Sequence, residues 1–195
     1  MRWQWIWIGS LCFACGGVEA QSVAQTTTTT TTTGAGTSAE GAAVPSGGQG
    51  LAPPMQQALQ AHNLARAEHC APLLEWSPAL ASAAAAWADT LVARGCQFEH
   101  SQSPYGENLF MGTAGRSSPS DVVTAWVSER SQYDFRNGGF SMQTGHFTQV
   151  VWASTRRLGC AVRTCGEMDL WVCNYDSPGN VQGGYPQNVQ PTSCR

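Results

Sequence analysis

Six cysteines constrain this chain more than any other feature, and they emerge once its first residues are read. Arg2 supplies a positive start, Trp3–Phe13 is a short apolar run, and Val18-Glu19-Ala20 offers a cut ahead of Gln21. That is the layout of a secretory signal over residues 1–20. The run falls far short of the ~20 residues that cross a bilayer, so no stable membrane insertion is expected. Cys15 leaves a lipoprotein as the alternative; secretion to the extracellular space is the preferred reading. Cys12 and Cys15 would leave with the signal, and Cys70, Cys96, Cys160, Cys165, Cys173 and Cys194 remain. An even number in an exported chain implies a disulfide framework, whose connectivity the spacing leaves open. A zinc–thiolate knot competes, but paired C-x-x-C hooks are missing. With all six paired no thiol is left as a nucleophile, which disfavours cysteine catalysis.

Residues 21–52 are of low complexity, with an unbroken threonine run at Thr26–Thr33 followed by Gly, Ala, Ser and Pro. Such a stretch buries too little apolar surface to offset its ordering entropy, and reads as an O-glycosylated linker. No N-x-S/T sequon occurs. The folded domain is expected over 53–195. The net charge is only −3, and the ten basic residues are all arginines spread along the chain without a basic stripe, so nucleic-acid binding has no support. Low charge and paired cysteines favour a monomer.

Within the domain the punctuation is regular. Pro54 opens a helix over Met55–His69, on which Met55, Ala58, His62, Ala65 and His69 form a stripe. Ser77-Pro78 and Ser118-Pro119 each pair an N-cap with a proline at the first helical position. They start helices that run to Gly95 and to near Gln132. Val122, Ala125, Trp126, Glu129 and Tyr133 share a face of the third helix, so Glu129 needs a partner: an arginine, a backbone amide or a histidine cluster. Leu109–Met111, Leu158–Val162 and Asp169–Tyr175 read as strands, the last two joined through a Cys165-Gly166 turn. The alternating stretch GHFTQVVW, Gly145–Trp152, reads as a strand opening on His146, whose imidazole can bind a metal, move a proton or satisfy a buried hydrogen bond. The turn-rich tail from Ser177 is expected to wrap the surface. The class is α+β.

GHFTQVVWAST (Gly145–Thr155) and LWVCNYDSPGN (Leu170–Asn180), with His62-Asn63, Tyr105-Gly106-Glu107-Asn108 and Trp126-Val127-Ser128-Glu129, resemble the ordered motifs of the CAP superfamily. That group holds the cysteine-rich secretory proteins, the antigen-five allergens and the group-one pathogenesis-related proteins. The resemblance implies a three-layer α-β-α sandwich with a central, mainly antiparallel sheet. It also implies a cleft carrying His62, Glu107, Glu129 and His146. Metal has been seen at the two histidines in such proteins, so it implies Zn²⁺ or another divalent ion at His62 and His146, with the glutamates beside it. A metal-free, hydrogen-bonded tetrad is the alternative.

By analogy with plant members, the resemblance implies Cys96–Cys165 and Cys160–Cys173, leaving Cys70 with Cys194. The plant pattern's extra cysteine pair before GHF is absent, since Asn137–Thr144 reads NGGFSMQT, which resembles fungal members more closely. Fungal relatives bind and export sterols and small hydrophobic ligands. Tyr133, Phe135 and Phe140 fit the aromatic spacing of the loop used there, although position 143 is Gln rather than a further aromatic. The expected function is therefore sterol or small-ligand binding, in lipid export or defence. A metal-dependent hydrolase or peptidase is the enzymatic alternative, and an extracellular interaction module is the third. No HExxH helix or Ser/His/Asp order supports catalysis.

Overall fold

The computed structural model describes residues 50–192. The proposed signal, nearly all of the Thr-rich segment and Cys194 lie outside the described residues. Helix α1 (Pro53–Glu68) leads into a two-residue strand β1 (Glu75–Trp76), then helix α2 (Pro78–Ala93) and strand β2 (Gly106–Thr113). Helix α3 (Pro119–Ser128) runs into a 3₁₀ turn, Glu129–Gln132, and a short helix α4 (Gly145–Val150) follows. Strands β3 (Arg157–Cys165) and β4 (Met168–Asp176) form a hairpin, and α5 (Tyr185–Asn188) closes the described chain.

The start signals act as local chemistry dictates. The Ser77 hydroxyl accepts from the Leu80 amide, and Ser118 forms a reciprocal capping box with Asp121. Strand order is β1-β3-β4-β2, antiparallel throughout except for the parallel β1–β3 pair. Because side chains alternate across strands, the sheet has two apolar faces. Leu109, Ala161 and Val172 meet Ala84 and Ala88 of α2 on one. On the other, Leu158, Trp171, Cys173 and Tyr175 belong to one core with Val122 and Trp126 of α3, Phe147 and Val150 of α4, and Leu59 of α1. The result is an α-β-α sandwich. Gly159 permits the α2 contact, since a Cβ there would stand 2.1 Å from the Ala81 amide nitrogen. Disulfides join Cys96 to Cys165 and Cys160 to Cys173. Cys70 is also disulfide-bonded; the expected Cys70–Cys194 pairing involves a residue outside the described ones.

Two expectations are corrected. GHFTQVVW is not a strand: Gly145–Val150 is helical, and Phe147, Thr148, Gln149 and Val150 are all buried. Alternation marks a strand only when one face meets water, and a short segment enclosed on every side carries no such contrast. The tail does more than wrap the surface. Tyr185 and Val189 are buried in the core, and the Tyr185 ring meets Trp152 edge-on at 5.1 Å.

Candidate functional site

The site forms around the first turn of α4. Beyond Ser128 the chain tightens into a 3₁₀ turn, which brings Glu129 opposite the open amides of that turn. Oε2 of Glu129 accepts from the backbone N–H of His146 (3.0 Å) and of Phe147 (3.1 Å). Oε1 accepts from Nδ1 of His146 at 2.6 Å. An anion is favoured here because the first amides of a helix lack intrahelical partners. The puzzle of Glu129 is thus answered by backbone amides and a histidine together. The side chains remain partly open, 19% for Glu129 and 30% for His146. Trp126 stacks on the His146 ring at 6.2 Å and donates from Nε1 to the Leu109 carbonyl. The other end of α4 is held by Arg66, wholly buried, which donates from Nη1 to the carbonyls of Val150 and Trp152. It also donates to those of Pro72 and Thr155.

Glu107 engages a residue the sequence reading passed over. Its Oε1 accepts from Nδ1 of His100 (2.7 Å) and from the Ser101 amide (3.0 Å). Its Oε2 is buried with no hydrogen-bond partner. The hydrogen bond to this carboxylate raises the pKa of His100 above the ordinary histidine value. The signal for His100 was a histidine placed seven residues ahead of Glu107 in a polar loop, with no periodic pattern to draw it out. Both carboxylate-bound imidazoles, His100 and His146, have Nδ1 occupied and Nε2 turned to the other side of the ring.

His62 stands apart from these pairs. It is fully buried, with Nδ1 2.7 Å from the Ala58 carbonyl and Nε2 2.9 Å from the Tyr175 hydroxyl. Burial lowers its pKa to about 4. Trp126 lies against both His62 and His146, with centroids at 6.0 and 6.2 Å, and no hydrogen bond links His62 to Glu107, Glu129 or His146 among the described residues. An ion at His62 would have to displace the Tyr175 hydroxyl, so this residue does not fit a metal as it stands. Among the described residues no three His, Cys, Asp or Glu side chains form a group that could hold one.

The three loop aromatics divide. Tyr133 and Phe135 pack edge-on against each other (4.9 Å) and against Phe147 (5.8 and 6.1 Å), while Phe135 also stacks on His69. Phe140 is 59% exposed, as is Met142 at 78%. A cavity of about 550 Å³ lies beside Phe135, bounded by Val127, Arg130, Ser131 and Pro191.

A disulfide-linked α-β-α sandwich with carboxylate-held imidazoles beside an aromatic loop defines the class of domain. The chain belongs to the CAP group, the cysteine-rich secretory protein family, whose family model matches residues 59–175. It is similar to Protein PRY2 of Saccharomyces cerevisiae, 43% identical over 133 residues, covering 67% of this chain and 39% of the yeast protein. It is also similar to Pathogenesis-related protein 1A of Nicotiana tabacum, 39% identical over 134 residues, covering 67% of this chain and 79% of that one. The chain therefore spans well under half of the yeast relative's length. Among solved structures, venom allergen-like protein 4 of Schistosoma mansoni superposes with a TM-score of 0.59 at 21% identity, covering 73% of this chain and 98% of its own. NaASP2 with Zn²⁺ does so with a TM-score of 0.57 at 23% identity, covering 74% and 90%. At these identities the likeness is one of fold. No helix among the described residues is long and apolar enough to cross a membrane.

Proposed function

We propose that this domain is exported and binds a sterol or another small hydrophobic ligand at the loop that carries Phe135, Phe140 and Met142. The observation that carries the reading is exposure: three large apolar side chains within eight residues face water to 36%, 59% and 78%. Leaving a Phe or Met side chain in water forgoes about 1.5–3 kcal/mol of burial, so a cluster of them marks a binding surface. Tyr133 and Phe135 anchor the loop on Phe147, which leaves Phe140 and Met142 free to meet a ligand. Saturable binding of a cholesterol probe that weakens in Phe140→Ala supports the reading. Equal binding by wild type and Phe140→Ala contradicts it.

A second reading is a divalent ion at the carboxylate-held imidazoles. It is favoured by one observation: Glu107 and Glu129 bind Nδ1 of His100 and His146, the arrangement that fixes the tautomer and leaves Nε2 as a ligand. His62 and His146 are the pair the motif resemblance implies; both ring nitrogens of His62 are engaged, whereas His100, like His146, meets a carboxylate through Nδ1. Such an ion would supply a Lewis acid or an activated water, the basis of the hydrolase alternative. Zinc titration of wild type against His100→Ala and His146→Ala tests it: heat absent from both variants supports the ion, and heat unchanged in both removes it.

A further inference from the structure

His62 sits where α1, β2, β4 and α4 meet, and its neighbours define its tautomer. Nδ1 faces the carbonyl oxygen of Ala58, an atom that only accepts, so Nδ1 carries the proton. Nε2 is then a bare lone pair, and the Tyr175 hydroxyl donates to it. Asn108 Nδ2 in turn donates to the Tyr175 oxygen at 3.2 Å and to the backbone carbonyl of His146 at 3.1 Å. The direction of every bond in this chain is fixed, from Asn108 through Tyr175 and His62 to the backbone of α1. His62 and Tyr175 are 0% exposed and Asn108 is 1% exposed, so water does not reach the chain to replace a missing member.

We infer that His62 is a positioning residue, acting through Tyr175 and Asn108 to hold the backbone of His146 and with it the direction of the His146 imidazole. His146 is also held by Glu129, through its N–H and Nδ1, and by the Trp126 ring stacked on its own. The carbonyl bond from Asn108 adds a fixed point at His146 itself, beside the bonds by which Asn180 holds Gly145 and Thr148 of the same turn. An apolar residue at 62 would fill the same space, yet it would strand the Tyr175 hydroxyl in the core and release Asn108 from its orientation. The inference goes beyond the proposed ligand, because no bound molecule takes part in the chain.

Heteronuclear NMR of the full mature chain at fixed neutral pH tests this. Wild-type His62 is expected as the Nδ1–H tautomer. Tyr175→Phe should shift the His146 ring resonances and lower exchange protection of the His146 and Phe147 amides by about tenfold, the weight of one hydrogen bond. His62→Gln with Tyr175 intact, whose side-chain carbonyl can accept from the Tyr175 hydroxyl where Nε2 stood, should keep both signals as in wild type. A packing role alone would lower the unfolding midpoint and leave the His146 ring signals in place. Two results overturn the inference: an Nε2–H tautomer in wild type, which needs no variant to measure, or unchanged His146 signals in folded Tyr175→Phe.

Discussion

Glu129 and His146 are joined at two points by one carboxylate, which takes the backbone N–H of His146 on one oxygen and the imidazole Nδ1 on the other. The same side chain therefore starts helix α4 and orients the ring that α4 presents. Folding and site geometry are coupled through a single residue.

Replacing Glu129 with Gln keeps the shape and one accepting oxygen but removes the charge at the helix start. The expected loss is about 1 kcal/mol, the usual scale for a cap or a charge at a helix terminus. Glu129→Ala should cost more and should free the His146 ring. Urea unfolding gives the stabilities, and the His146 ring signals report the second effect. Equal stability of wild type and Glu129→Ala would show that α4 forms without its cap.

Arg66 should be among the least replaceable residues in the domain. It has no carboxylate partner in its hydrogen-bond set, which consists of four backbone carbonyls. Arg66→Met is expected to destabilise by roughly 3–5 kcal/mol, because the carbonyls at the end of α4 lose a buried, charge-assisted donor. Arg66→Lys should recover little, since an ammonium cannot reproduce the planar fork. Denaturant midpoints compare the three.

Acid should destabilise the domain through His62. Its folded pKa of about 4 lies below the ordinary value of 6.5, so the unfolded chain binds the proton first as pH falls. Stability from this group is complete above pH 6.5 and declines between there and pH 4, by about 3 kcal/mol in all. His100 has the opposite sign. Its raised pKa adds stability below 6.5 that disappears as pH rises through the folded value. His62→Gln should flatten the acid slope, and unfolding curves between pH 4 and 7 would reveal it. An unaltered slope would place the acid-sensitive group elsewhere.

What the sequence reveals and what it hides follow from the range of the interactions. The starts of α2 and α3 are legible because Ser77 and Ser118 cap amides three residues away. The burial of His62 is legible from its stripe of Ala58 and Ala65 on α1. Helix α4 is not, because its cap comes from Glu129 and its far end is held by Arg66, both distant in sequence. The role of Arg66 is hidden for the same reason: its Val150, Trp152 and Thr155 partners are carbonyls that every residue possesses. His100 escapes notice because an exposed loop imposes no period, and only the folded chain brings it to Glu107.

The ligand reading is decided by equilibrium binding of a cholesterol probe to the purified protein. Saturation is expected with a Kd in the micromolar range or tighter, and a loss of about tenfold or more in Phe140→Ala, from the apolar contact removed. Binding that fails to saturate in wild type, or a Phe140→Ala variant that binds as wild type does, would contradict it.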